Sequence, residues 1–196
     1  LEVSPRKLKG NWEAGFALDM HTISSEYLGD DEYGNPQYDT KRTDVGELLY
    51  RLKYRSDETV VKVLAQAAAN FVESQGWSLD LVIPVPPSQT GRACQPVPML
   101  AKAIDRALGI PTCLDCVVKV KRTAQLKDIY DFEARSELLK DAHTISVSDV
   151  EQKQLLVLDD LYRSGATLNA VVESLKTQGN PACVYALTIT KARSKR

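Results

Sequence analysis

The stretch that most restricts this chain runs Leu155-Leu156-Val157-Leu158-Asp159-Asp160-Leu161-Tyr162-Arg163-Ser164-Gly165-Ala166-Thr167-Leu168. Four consecutive apolar residues read as a strand buried on both faces, and such strands belong to parallel sheets covered by helices. Leaving two adjacent carboxylates in that dry setting without partners is costly, so Asp159 and Asp160 are expected to emerge where the strand ends. In open α/β sheets that edge is where ligands bind. The next residues, Ser164 to Thr167, form a turn of small side chains entering a helix over 167–178. Small side chains let backbone N–H groups approach an anion, the two hydroxyls add donors, and the helix dipole favours negative charge. An acid pair for hydroxyls or a metal, set beside a phosphate cradle, suits a phosphorylated sugar. A helix cap next to two solvated turn acids is the plainer alternative. A Walker A loop is absent, because no G-x-x-x-x-G-K-[ST] occurs. A receiver domain carries its acid pair on its first strand, and this pair is near the C-terminus.

The rest of the chain agrees with an α/β architecture. Leucines 48, 49 and 52 share one face of a helix expected over 45–55. Ser56 reads as the N-cap of a second helix that Gly76 closes. A short apolar run over 81–83 ends at Pro84, and a helix over 97–108 stops at Gly109 and Pro111. Strands are expected over 113–120, 143–147, 155–158 and 183–189, with a charged loop and short helix between 121 and 141. Alternating strands and helices with apolar strands give an α/β class with a mostly parallel twisted sheet flanked by helices. The first 45 residues are acidic and turn-rich, with a strand over 15–23 and a dense turn signal at Asp30-Asp31-Glu32-Tyr33-Gly34-Asn35-Pro36. They read as an N-terminal extension, or hood, on a core over 46–196.

Composition narrows function by exclusion. The 196 residues hold 25 basic and 26 acidic side chains, a net charge of −1, which argues against a protein that coats nucleic acid by neutralising phosphates. Only a local patch is left for that role. Lys191, Arg193, Lys195 and Arg196 form the one such tail and read as solvated, with single-stranded nucleic acid as the competing partner. No apolar stretch approaches the ~20 residues of a membrane span. Four cysteines do not make an extracellular framework. Cys113 and Cys116 form a C-x-x-C with no second pair, and plain strand residues are the expectation there. His21 and His143 lack metal-ligand spacing and receive no role. The first residues have no secretion-signal core, and the cytoplasm is the expected compartment.

The Leu155–Leu168 segment resembles the phosphoribosyl pyrophosphate (PRPP) motif of type I phosphoribosyltransferases. Within that superfamily the chain is most similar to the ComF-like, competence-associated branch. Leu48-Leu49-Tyr50-Arg51-Leu52-Lys53-Tyr54 looks like that branch's leucine-plus-Lys-Tyr helix, and Val82-Ile83-Pro84-Val85-Pro86 like its first core strand. Arg122-Thr123-Ala124-Gln125-Leu126 with Arg135 resembles its mobile loop. Two departures stand out. The branch often carries a four-cysteine zinc ribbon, and residues 1–45 contain no cysteine. Its Arg-Gly-Phe-Asn-Gln stretch stands here as Gly91-Arg92-Ala93-Cys94-Gln95.

The resemblance implies a type I phosphoribosyltransferase fold and a transferase that binds PRPP with Mg²⁺ and releases pyrophosphate as an unidentified base or amine is ribosylated. It gives Asp159 and Asp160 the ribose hydroxyls and the developing positive charge, with Mg²⁺ held mainly by substrate oxygens. Leu161, Arg163, Ser164, Gly165, Ala166 and Thr167 complete the PRPP site by holding the 5′-phosphate. Val85, Pro86, Pro87 and Ser88 are the implied pyrophosphate loop. Arg92, Lys119, Lys121 and Arg122 are candidates for clamping the leaving group, against a solvated basic loop. Lys53 either contributes to the site or is an exposed helical lysine. The alternative function is a non-catalytic PRPP-binding regulatory or DNA-uptake protein. A homodimer is compatible with either.

Overall fold

The computed structural model describes residues 1–87, 94–120, 139 and 142–193. Along the chain these form strands β1 (Arg6–Lys7), β2 (Gly15–Met20), β3 (Thr22–Asp30) and β4 (Pro36–Arg42), then helix α1 (Asp44–Arg55). A 3-10 turn (Glu58–Val60) leads into α2 (Val61–Gln75), β5 (Leu81–Pro84), α3 (Pro96–Leu108) and β6 (Val117–Lys119). Strand β7 (His143–Ile145), the short helix α4 (Val147–Val150), β8 (Gln154–Tyr162), α5 (Ala166–Gly179) and β9 (Cys183–Lys191) complete the order.

The main sheet has five strands in the order β1-β2-β9-β8-β5. Only the edge strand β1 is antiparallel; β2, β9, β8 and β5 run parallel. Strand β8 shows why the sheet is dry on both faces. Leu156 and Leu158 join a core with Leu49, Leu52, Leu64, Leu100 and Ile104 from α1, α2 and α3. Their neighbours Leu155 and Val157 point the other way and pack with Val171, Val172 and Leu175 of α5. This is the alternation a strand imposes. Fully burying each such side chain contributes about 1.5–3 kcal/mol. Because helices cover both faces, β8 is buried from Leu155 to Leu158 and becomes partly exposed only at Gln154 and from Asp159 to Tyr162.

Several sequence expectations are corrected. The N-terminal segment is not all extension: β2 lies beside β9, and Ala17 and Leu18 are fully buried. What stands outside the main sheet is the β3–β4 hairpin, whose Tyr27 and Tyr38 rings lie 5.6 Å apart. The expected strand over 113–120 shortens to β6, which pairs antiparallel with β7. A bend precedes it, and Cys113 and Cys116 are joined as a disulfide there rather than serving as plain strand residues. In an extended strand residues i and i+3 lie on opposite faces; the bend brings their Cα atoms to 5.5 Å, a span a disulfide can bridge.

Ser56 is a further correction. It does not start the second helix but ends α1, in left-handed backbone with φ 51° and ψ 35°. The turn that follows is capped by Asp57, whose side chain accepts from the Thr59 N–H at 3.1 Å. Left-handed backbone costs a residue with a Cβ roughly 1–2 kcal/mol relative to glycine's easy access. Ser56→Gly is therefore expected to raise stability by about 0.5–1 kcal/mol, read as a higher urea midpoint with an unchanged slope. A loss of stability would restore Ser56 to the capping role.

Candidate active site

The site forms where β2, β8 and β9 end and α1 and α5 begin. Asp159 and Asp160 do not follow β8 but lie within it, for the strand continues to Tyr162 and pairs Asp159 with Thr188 of β9. Both are partly buried. The Asp160 backbone N–H donates to Asp159 Oδ1 at 2.8 Å, and Lys53 Nζ donates to Asp160 Oδ2 at 2.6 Å. Lys53 is thus no freely solvated lysine: its side chain is 21% exposed and Asp160's is 14%. Removing one partner of so enclosed a pair leaves the other charge uncompensated.

Helix α1 reaches this position because its start is stitched to the sheet. Thr43 caps it, accepting from the Gly46 N–H at 3.0 Å, while its hydroxyl donates to the carbonyl of Met20, the last residue of β2, at 2.6 Å. With Leu49 and Leu52 in the core, Lys53 arrives at the sheet edge.

Burial, and then the negative charge of Asp160, push Asp159 up to about 7; the Asp160 N–H and Lys53 act in the opposite direction. Near neutrality this carboxyl is therefore poised between its neutral and charged forms.

Beyond β8 the chain turns through Arg163, Ser164 and Gly165 into α5. Gly165, not a hydroxyl residue, occupies the N-cap position, with φ 83°. A Cβ there would lie 2.6 Å from the Tyr162 ring, so both backbone and space require glycine. The Ala166 N–H reaches Ser164 Oγ at 3.4 Å. A cavity of about 80 Å³ opens at this turn, lined by Asp159, Leu161 to Leu168 and Thr188. Of the residues named for the PRPP site, all but Asp160 line it. Backbone N–H groups at a helix N-terminus, small side chains and the exposed Arg163 give it an anion-accepting character.

The remaining expected residues are more scattered. Val85 is buried and its N–H donates to Leu158 O at 2.8 Å, which holds the start of the implied pyrophosphate loop, with Pro86 and Pro87 after it, against β8. Lys119 lies on β6 opposite His143, and burial lowers its pKa. Ser88, Arg92, Lys121 and Arg122 lie outside the described residues, as do Arg135, Lys195 and Arg196.

Four site residues escaped the sequence reading. Asn169 donates to Gly165 O at 2.9 Å and accepts from the Asn11 N–H at 2.9 Å, tying the turn to the N-terminal segment. Tyr162 donates to Lys9 O at 2.9 Å, and its ring meets Trp12 edge-on at 6.4 Å. His21 hydrogen-bonds Thr190 at 3.1 Å. Arg42 stacks over Tyr50 at 3.8 Å and pairs with Glu47 at 3.4 Å. Asn169, on the first turn of a helix, and Tyr162, inside the acid-to-turn segment, are local to the site; His21 and Arg42 are brought in by long-range contacts.

The raised Asp159 pKa has a signed consequence. Its folded value lies above the ordinary 3.8, so its ionisation opposes folding: the penalty is absent well below pH 4 and complete above about pH 7. Asp159→Asn is expected to gain stability over wild type progressively between those limits and no further above them, by urea unfolding across pH. A pH-independent difference would contradict the assigned environment.

No family profile matches the chain, and no curated protein matches it. Solved structures do. Adenine phosphoribosyltransferase from Trypanosoma brucei, determined with AMP, pyrophosphate and ribose-5-phosphate, superposes with a TM-score of 0.52 at 9% identity, over 98% of this chain and 87% of that one. The glutamine PRPP amidotransferase of B. subtilis, complexed with ADP and GMP, gives 0.50 at 16% identity over 81% of this chain. This chain spans about a third of that enzyme's length, 34%. At these identities the likeness establishes architecture. The protein has the phosphoribosyltransferase fold, a mostly parallel α/β sheet flanked by helices.

Proposed function

We propose that this protein is a phosphoribosyltransferase that binds Mg·PRPP and passes its phosphoribosyl group to a nitrogen acceptor with release of pyrophosphate. The observation that carries this reading is the joining of an enclosed acid pair to an anion-accepting turn on one strand–turn–helix unit. A 5-phosphorylated sugar has both features at matching ends, ribose hydroxyls and a phosphate.

In this reading Asp159 and Asp160 accept hydrogen bonds from the 2′- and 3′-hydroxyls, and their charge stabilises the oxocarbenium character that develops as the anomeric bond breaks. The 5′-phosphate takes the backbone N–H groups of Gly165, Ala166 and Thr167, with Arg163 beside them. Lys53 shares Asp160 with the sugar and holds that carboxylate in place. The donor set fits magnesium, since hard carboxylate oxygens face the crevice, but Lys53 already occupies one of them. The ion is therefore assigned mainly to substrate oxygens. When bound, it neutralises charge on the pyrophosphate. The basic residues Arg92, Lys119, Lys121 and Arg122 and the loop Val85 to Ser88 belong to the leaving-group side of the same reading, and the ComF-like branch is the proposed place of the chain within its fold.

Calorimetry tests the site directly. Each hydrogen bond to a charged group contributes about 1.5–3 kcal/mol, so Asp159→Asn/Asp160→Asn is expected to weaken Mg·PRPP binding by ~10²-fold or more. Unaltered affinity would remove the acid pair from the site. Pyrophosphate release on mixing Mg·PRPP with purine bases, pyrimidine bases and amines would establish transfer. Binding without release, joined to salt-sensitive retention of single-stranded DNA, would assign the non-catalytic alternative.

A further inference from the structure

His21 sits between β2 and β3, at the same end of the sheet as the acid pair, and is held from three sides. Its backbone N–H donates to Lys191 O at 2.8 Å. Its carbonyl abuts α1 so closely that a Cβ on Gly46 would lie 2.1 Å from it. Its ring is fixed by the 3.1 Å contact between Nδ1 and Thr190 Oγ1.

Thr190 Oγ1 also lies 3.4 Å from the Asp160 carbonyl, which can only accept. When the hydroxyl proton goes there, the threonine presents a lone pair to Nδ1, which then carries the ring proton and leaves the Nε2 lone pair free. Among the described residues no group bonds Nε2, and it is not among the buried polar atoms lacking a partner, so it is open to solvent. The charges that face the ring come from four places: Arg42 at the end of β4, Lys53 on α1, Asp160 on β8 and Arg163 in the following turn. Burial comes first, and the three cations second, in holding the imidazole below its ordinary pKa against the opposing pull of Asp160. The ring is thus biased toward its neutral form.

Ribosylation of an N–H acceptor needs such a group. The turn itself supplies Arg163, Ser164, Gly165, Ala166 and Thr167, none of which takes up a proton near neutrality, and the reading above commits both aspartates to the sugar. We propose that His21 is the general base for the incoming nucleophile, with Thr190 as the positioning residue that fixes its tautomer. This rests on the transferase reading. The acceptor nitrogen's lone pair forms the bond to the anomeric carbon, and the carbon–oxygen bond to pyrophosphate breaks with its electron pair leaving on oxygen. The proton freed from the acceptor nitrogen passes to His21 Nε2 and then to water. An acceptor whose attacking nitrogen bears no hydrogen has no use for this base, so the site is assigned to N–H nitrogen bases.

Two measurements test the proposal. Ring ¹⁵N spectra of the full chain need no substrate: His21 is expected as the Nδ1–H tautomer, and Thr190→Val is expected to release that preference. An Nε2–H tautomer in the wild type overturns the proposal. The second is pyrophosphate release from Mg·PRPP, with water alone as nucleophile and with added purine and pyrimidine bases. His21→Gln is expected to leave Mg·PRPP affinity unchanged, to lower kcat ~10²–10⁴-fold, and to reduce the acid limb of its pH profile from the two-proton slope of His21 and Asp159 to the one-proton slope of Asp159 alone. Wild-type turnover in His21→Gln with an acid limb as steep as the wild type's overturns the base assignment while leaving the transferase standing. A wild-type protein that fails to bind Mg·PRPP overturns the transferase reading itself, and the catalytic role of His21 with it.

Discussion

The site depends on one constraint: strand β8 must leave a core that is dry on both faces and end in polar groups within a few residues. Leu155 to Leu158 are each inaccessible to solvent, and the next two residues are carboxylic acids. A charge at that boundary survives only with a partner or a proton. The protein uses both, a lysine from α1 on Asp160 and a raised pKa at Asp159. Both acids are thereby held at the end of the dry strand as partly buried groups, one paired with a cation and one able to stay neutral.

The N-terminal segment makes that arrangement possible. By running parallel to β9, β2 ends at the same edge as the acid pair, one strand removed from β8, and Thr43 then joins Met20 to the first turn of α1. The helix is consequently aimed so that Lys53 crosses 107 positions of sequence to meet Asp160. On the other side, the residues before β2 are tied to α5: Asn11 bonds Asn169 and Glu173, and Lys176 donates to the Asn11 carbonyl. The turn into α5 is braced from outside by the same segment that, through β2, positions the start of α1.

Some of this could be read from residue order because it is locally encoded. The apolar runs 81–83, 155–158 and 183–189 became β5, β8 and β9, and glycines 76 and 109 ended helices in left-handed backbone. Gly165 was marked by its small neighbours, although its reason turned out to be the Tyr162 ring packed against it. Errors came where local and long-range preferences competed. Ser56 has the composition of a helix start, but chain direction made it a helix end. In the acidic, turn-rich first 45 residues the strand over 15–23 was legible as β2, but its place in the main sheet was not, because its partner β9 lies some 170 positions away.

The sequence by itself determined that a dry parallel strand would deliver two acids and a small-residue turn to one edge, since backbone geometry and burial act over neighbouring residues. Which cations and which histidine meet those acids was decided only by tertiary structure. Lys53, His21 and Thr190 have no spacing that relates them to Asp160; strand order, and a helix stitched to a strand end, bring them together. A charge is governed by what lies within a few ångströms of it, and distance in space is what a string of residues does not state.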